Sequence, residues 1–475
     1  MQPDNLKSMK ETILALWNKS TAMAPLLLGG LFVISNEVSA ADDRAAVRQE
    51  AEQWRAEHRI IDLHQHLDYQ PELLERAIRV MDASGVGLGT DLTPGTVTSG
   101  PDGQPSEFEA HKKMEDSLFP GRWVQYMNLD YKDWDQPNFA QEAVRQVEKG
   151  YKLAAAGFKE WKRFGLFLRD GQGKLIHVDD PRLDPMWERL GQLNIPVSIH
   201  VADPKAFFEP YNNRNERWQE LKDHKSWWFG DANVYPGWKD LLEALNRVVG
   251  RHPHTTFVCV HFANNAEELD WVADSLTCHP NMNVDLAARI PELGRHDPGK
   301  VHDMFVKFQD RILFGTEFQS LQSKMILGSS GNEPPPTDAD AEVFFRKEYR
   351  WLETWDRDWA HMTPIRVARK QTGENYQVVN GPVIHGQPPD ATLLIGVMCN
   401  YAAPISQKLG IGQFREVPQR RSQRVAGFRI PHSRCIISAG SDNPVAIGTK
   451  GCRSDLFPGF NWGNEPPPCV RIPYD

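Results

Sequence analysis

Apolar residues between positions 59 and 355 follow two periods in turn. Short runs have the length and β-branched content of strands: RIIDLHQH (59–66), GVGLGTDL (85–92), WVQYMNLD (123–130), GFKEWKRF (157–164), IPVSIHVAD (195–203), TTFVCVHFAN (255–264), MNVDLAAR (282–289) and RILFGTEF (311–318). Between them, FAQEAVRQVEKGYKLAAA, DPMWERLGQLN, WKDLLEALNRVV, AEELDWVADSL and GKVHDMFVKF repeat their apolar residues at helical spacing, and AEVFFRKEYRWLETW closes the series. Strands separated by helices pair in parallel. Eight such units predict a closed (β/α)8 TIM barrel. An open doubly wound sheet would need a Gly-rich phosphate turn after an early strand, and Gly85, Gly87 and Gly89 lack the rest of that fingerprint.

Two long polar insertions leave the carboxyl ends of strands, where barrel sites are built. Residues 204–235 contain NNRNERWQELKDHKSWWFGD, and residues 319–341 contain GSSGNEPPPTDAD. Long loops at that face often act as lids. After Thr363 the helical period stops and Gly and Pro become frequent. The chain therefore divides into a barrel domain over 41–365 and an irregular tail over 366–475, read either as a loosely ordered extension or as an altered version of a normal ending.

The strand ends carry the chemistry. His64 and His66 sit one residue apart at the end of the first run, so in an extended strand both imidazoles leave on one face. His200 closes the fifth run, His261 the sixth, and Glu317 the eighth. A barrel brings these ends together on one face, which predicts a metal site. Imidazole and carboxylate donors suit zinc or another divalent metal ion. An ion with an open coordination position lowers the pKa of bound water to about 7, so the water can attack a carbonyl carbon. Glu317 would accept its proton and His261 would stabilise the oxyanion. Lys162, at the end of the fourth run, and Arg289, at the end of the seventh, are candidate substrate-binding cations. Arg289 has a second reading, an ion pair with Asp285 or Glu292.

The segments DLHQH, SIHVAD, CVHFAN and RILFGTE resemble, in order and spacing, the amidohydrolase superfamily, and within it the amidohydrolase-related branch that includes the aminocarboxymuconate-semialdehyde-decarboxylase-like enzymes. The resemblance covers about residues 59 to 365. It implies a divalent ion, usually zinc, held by His64, His66, His200 and the strand-eight acid, with His261 beside it as a general acid or base. That acid is normally Asp in an FGTD pattern; here it is Glu317, one methylene longer. Some binuclear members of the superfamily bridge two metals with a carboxylated lysine at the end of strand four, where this chain has Lys159 and Lys162. The implied activity is metal-dependent hydrolysis. Non-oxidative decarboxylation of an aromatic or unsaturated carboxylic acid is an alternative on the same barrel, and a catalytically weak binding protein is a second alternative.

Composition narrows the partners. The chain has 475 residues, 25% of them charged and 40% hydrophobic, and a formal net charge of −9. That profile fits a soluble enzyme with a small-molecule substrate and gives no basic footprint for nucleic acid. A homo-oligomer is compatible with it. Six cysteines without a CxxC offer no zinc-ribbon or redox motif. At the N-terminus, Lys7, Lys10 and Lys19 precede AMAPLLLGGLFVIS and VSAAD. This predicts a signal peptide over 1–40 with cleavage after Ala40, a secreted or periplasmic protein, and no stable membrane insertion after cleavage.

Overall fold

The computed structural model describes residues 48–354 and 359–363, together with the backbone of 383–384. The expected leader (1–40) and nearly all of the expected tail (366–475) lie outside the described residues. Eight parallel strands follow in chain order: β1 (Ile60–Leu67), β2 (Val86–Asp91), β3 (Trp123–Met127), β4 (Gly157–Glu160), β5 (Val197–Ile199), β6 (Phe257–Cys259), β7 (Met282–Asp285) and β8 (Ile312–Leu313). Each pairs with the next, and β9 (Phe318–Ser320) and β10 (Met325–Leu327) extend the sheet beyond β1. The first and last strands meet through Leu63 N–H to Phe314 O at 3.1 Å and Glu317 N–H to His64 O at 3.0 Å. The chain thus curls into the expected α/β barrel. Ile61, Leu63, Leu88, Val124, Tyr126, Val258 and Leu313 pack together inside it.

The helices form the outer layer: α1 (Pro71–Ser84), α2 (Glu107–Leu118), α3 (Phe139–Lys152), α4 (Asp184–Gln192), α5 (Trp238–Arg251), α6 (Leu269–Cys278), α7 (Pro298–Lys307) and α8 (Asp338–Glu353). α5 shows why they form. Trp238, Leu241, Leu242, Leu245, Val248 and Val249 make one buried stripe, and Asp240 accepts the Gly237 N–H at 2.9 Å to cap the start. α8 begins with a capping box between Thr337 and Asp340 and buries Phe344, Phe345, Trp351 and Leu352. Two helices fall in stretches that the apolar runs left as connections, α1 and α2. Their terminal signals are Pro71 at the start and left-handed Gly85 at the end of α1, which buries Leu74, Ala77, Val80 and Met81, and a Ser106–Glu109 capping box on α2. Gly85 has φ +75, and a Cβ there would lie 2.6 Å from the Arg55 Cα, so only glycine fits. Among the described residues no helix is long and apolar enough to cross a membrane.

The insertion over 204–235 is fastened rather than hinged. Arg217, buried within it, pairs with Glu220 at 2.9 Å and with Glu292 in the short helical turn after β7. Glu220 also accepts from Ser329 Oγ at 3.0 Å, and Arg295 meets Glu216 at 2.9 Å. A buried ion pair therefore joins the 204–235 insertion to the β7 side, and a hydrogen bond from Ser329 links the second insertion to the first. A lid needs a segment with few buried contacts, and this one is tied at its centre.

Where α2 meets the end of β2, Asp91 and Glu115 are each 1% exposed. Two carboxyl groups buried side by side cannot both ionise cheaply, so the pair keeps one proton between them. Burial, with the charge of Asp91, pushes Glu115 well above the usual carboxylate range, and burial pushes Asp91 up to about 6. The fold thus holds a proton that the unfolded chain releases above about pH 4. The stability contributed by that proton is complete below the unfolded value and is lost as pH rises through the folded one. Glu115→Gln keeps an acceptor for Gln125 and removes a charge. It is expected to raise the unfolding free energy at pH 8 by roughly 1–3 kcal/mol and to leave it nearly unchanged at about pH 4.5. Urea unfolding at the two pH values checks the sign.

Candidate metal centre

Glu317 stands at φ +63, a left-handed conformation that an L residue other than Gly, Asn or Asp rarely takes. Three hydrogen bonds hold it there from the β1 side. Its own N–H reaches the His64 carbonyl, and Asp62 accepts from Thr316 N at 3.1 Å and Thr316 Oγ1 at 2.6 Å. The carboxylate consequently lies among three imidazoles. Oε2 is 2.8 Å from His64 Nε2 and 3.5 Å from His261 Nε2, and Oε1 is 3.5 Å from His66 Nε2. Oε1 also accepts from Gln319 Nε2 at 2.9 Å.

Each of these rings is anchored by its other nitrogen. His64 Nδ1 meets Asp285 Oδ2 at 2.8 Å, His66 Nδ1 meets Thr93 Oγ1 at 3.0 Å, and His261 Nδ1 meets the Ala287 carbonyl at 2.8 Å. Asp285 serves two of them, since its Oδ1 accepts the His261 N–H at 2.7 Å. Such outer partners orient histidines that bind metals. His64 Nε2 and Glu317 Oε2 are buried without a hydrogen-bond partner. At 2.8 Å the distance suits a hydrogen bond, so the direction does not; the two atoms converge as donors to a common ion would. Possible ligand atoms of His64, His66 and Glu317 all lie within 4.8 Å of one another. This donor set fits a divalent ion.

The electrostatics agree. Burial drives His66 and His200 down to about 4 and His261 well below its ordinary value, which leaves these rings neutral. At His64 burial also disfavours charge, but Glu317 and Asp285 outweigh it and raise the ring. Glu317 is raised by burial and lowered more strongly by His64, His261 and His66, so it stays ionised. His66 and His261 are therefore in the neutral form that metal binding requires, while His64 holds its proton more strongly beside the two carboxylates and would give it up to a bound ion.

The chain after β6 departs most from ordinary backbone. His261, Phe262, Ala263 and Asn264 have φ of 56, 55, 58 and 56. Four consecutive left-handed L residues are sterically costly. Asp285 fixes the first, and Asn264 Oδ1 fixes the last by accepting Val201 N at 3.1 Å. This turn aims His261 at Glu317.

The other candidates take different positions. The His200 ring lies 4.4 Å from that of His261, but its Nε2 is engaged by the Ala202 carbonyl at 2.9 Å, outside the His64–His66–Glu317 group. Lys162 is partly exposed, pairs with Asp203 at 2.6 Å and lies 4.6 Å from the Trp227 ring. Arg289 is buried, donates to the Ala288 carbonyl at 2.8 Å, and acts electrostatically on His261, Glu292 and Glu267. Of its second reading, an ion pair with Asp285 or Glu292, the structure shows the pull of the Arg289 charge on Glu292, while Asp285 is engaged by His64 and His261. Lys159 proves the more intimate of the two β4 lysines. It is 0% exposed, its Nζ has no hydrogen-bond partner, and burial pushes it down to about 8 against the pull of Glu317, Asp285 and Glu160. Thr93 and Asp62 were not singled out in sequence, and Asp285 was named only as a partner for Arg289. For Asp285 and Asp62 the available signal was a carboxylate inside an apolar strand.

The amidohydrolase family matches residues 61–347. Solved structures similar to the chain include a 2,6-dihydroxybenzoate decarboxylase from Rhizobium, 16% identical over 60% of this chain and 91% of that one, with a TM-score of 0.36. A dihydroxybenzoic acid decarboxylase from a Polaromonas species, with bound manganese and the inhibitor 2-nitroresorcinol, is 14% identical over 60% and 90%, with a TM-score of 0.37. A 4-oxalomesaconate hydratase from Rhodopseudomonas palustris is 13% identical over 61% and 94%, with a TM-score of 0.33. No curated protein matches the chain. With the match covering more than half of its length, the chain belongs to the amidohydrolase family, a family of enzymes.

Proposed function

We propose that the chain is a metal-dependent hydrolase that acts at a carbonyl carbon of a small molecule. The observation that carries this reading is the convergence of three Nε2 atoms on the Glu317 carboxylate, each ring being anchored by its Nδ1. His64, His66 and Glu317 are the proposed ligands, with His200 completing the set read from the sequence. When bound, zinc or another divalent ion supplies Lewis-acid polarisation and a water that ionises near neutral pH.

The chain's own residues then divide the work. His261 Nδ1 faces a carbonyl, which can only accept, so the proton sits on Nδ1 and Nε2 keeps its lone pair. That suits a base that takes a proton at Nε2 and returns it to the leaving group, in place of the oxyanion role expected from the sequence. Lys159 Nζ, buried without a partner, is the proposed donor to the oxygen that gains charge. Lys162 beside Trp227, and Arg289 behind His261, are proposed to attract an anionic part of the substrate.

Purified protein is expected to hold about one equivalent of a first-row divalent ion and to turn over members of a panel of esters, amides and lactones in a metal-dependent way. Elemental analysis that finds no ion, with no gain on adding zinc, would overturn the reading. Release of CO2 from aromatic acids, without hydrolysis of the panel, would replace it with decarboxylation at the same residues.

A further inference from the structure

We propose that Asp91 and Thr93 are positioning residues for His66, setting through hydrogen bonds which of its ring nitrogens carries the proton. The inference rests on the reading of His66 as a metal ligand. Among the three rings that face Glu317, two have partners that can act only as acceptors, the Asp285 carboxylate for His64 and the Ala287 carbonyl for His261. Each such partner fixes its tautomer without help. His66 alone meets a hydroxyl, Thr93 Oγ1, at 3.0 Å.

A hydroxyl has one proton and two lone pairs, and can donate or accept. If Thr93 donated to His66 Nδ1, the ring proton would sit on Nε2 and block the atom that faces Glu317. If Thr93 accepts, His66 carries its proton on Nδ1 and Nε2 keeps a lone pair for a metal. The choice depends on where the hydroxyl proton goes.

Asp91 decides it. Its Oδ1 accepts the Thr93 N–H at 2.9 Å, which fixes the turn after β2, and the Thr93 hydroxyl lies within hydrogen-bonding reach of the same carboxylate. The Leu67 N–H also bonds this side chain. The Thr93 N–H on Asp91 favours its ionised form against the burial that raises it. The proton that Asp91 and Glu115 must share is therefore held on the Glu115 side, in keeping with the stronger upward shift of Glu115. Glu115 accepts in turn from Gln125 Nε2 at 2.7 Å, and Gln125 Oε1 accepts from Lys112 Nζ at 2.9 Å. An ionised Asp91 draws the Thr93 proton toward itself, the Thr93 oxygen must accept from His66, and Nε2 is left free.

Full-length protein is tested with cobalt(II) as the probe, following affinity by chelator competition and geometry by the visible absorption of the bound ion. Thr93→Val is expected to lose about 10- to 100-fold in cobalt affinity, Asp91→Asn to lose affinity in the same direction, and Thr93→Ser to stay within about threefold of the parent. In parallel, nitrogen NMR of histidine-labelled, metal-free protein is expected to find the His66 proton on Nδ1 in the parent and the Ser variant, and not held there in the Val variant. Cobalt affinity and tautomer both unchanged in Thr93→Val would overturn the proposal. So would failure of Thr93→Ser to restore them, since the effect would then be one of packing. If the parent takes up no cobalt, the hydrolase reading fails on its own account, and the His66 tautomer still decides the role of Thr93 and Asp91.

Discussion

His64→Ala is expected to reduce affinity for zinc by about a thousandfold or more and to abolish metal-dependent turnover. Loss of an outer partner typically costs 10- to 100-fold, and His64 is placed as a direct donor, so its loss should exceed that range. The position is demanding on both sides. Its Nε2 lies 2.8 Å from Glu317 Oε2, and its Nδ1 holds Asp285, which also fixes the His261 backbone. Removing the ring takes away a ligand and half of the restraint on Asp285. Calorimetric titration with zinc, beside a thermal melt to confirm folding, makes the measurement. A folded variant that binds zinc within about tenfold of the parent would remove His64 from the ligand set.

Arg217→Met is expected to destabilise the protein by about 3–5 kcal/mol, the range for breaking a buried ion pair from one side. Arg217 is 2% exposed, and its partners Glu220 and Glu292 are buried with it. Taking the guanidinium away leaves two carboxylates in a low-dielectric environment without their direct partner, Glu292 keeping only the weaker pull of Arg295 and Arg289. The same change should open the 204–235 insertion to protease, since that ion pair fastens it to the β7 side. Replacing Arg217, Glu220 and Glu292 together by apolar residues of similar size is expected to recover most of the loss. Urea unfolding and limited proteolysis decide. A single variant within about 1 kcal/mol of the parent would show that the pairing is weak.

The barrel was legible because its signal is repeated. Eight apolar runs separated by helical spacing leave few alternatives, and the order of the strand ends then predicts which side chains converge. His64, His66, His261 and Glu317 do meet. The strands are shorter than their apolar runs, β8 being only Ile312–Leu313, because the same runs also supply the buried loops that carry the site. α1 does carry a buried stripe, Leu74, Ala77, Val80 and Met81, but charged residues break it into pieces too short to read as an apolar run, and α2 is marked mainly by its cap. The outer partners were harder still. Nothing local to Asp285 tells that it will hold a ring 221 positions earlier in the chain. Thr93 likewise gains its meaning from His66, and Lys159 from the acids around it. Length and polarity suggested a lid over 204–235, but fastening depends on Glu292, a residue from a distant element.

Selection for heat resistance meets an unusual obstacle at residues 261–264. The left-handed turn there carries a steric penalty of roughly 1–2 kcal/mol at each L residue, and glycine at Ala263 would release part of it, whereas at Phe262 the loss of the buried ring stacked on Phe305 would outweigh the relief. Elsewhere in a protein such a change is an easy route to a higher melting temperature. In this turn the same freedom would loosen the backbone that aims His261, and stability would rise at the expense of the geometry it supports. Mutational drift at these positions is therefore constrained from two directions, by chirality and by the aim of the His261 ring at Glu317. Stabilising variants that leave the enzyme's rate intact should accumulate on the outer helices, at exposed apolar positions such as Leu118 and Val306, and pass the turn by.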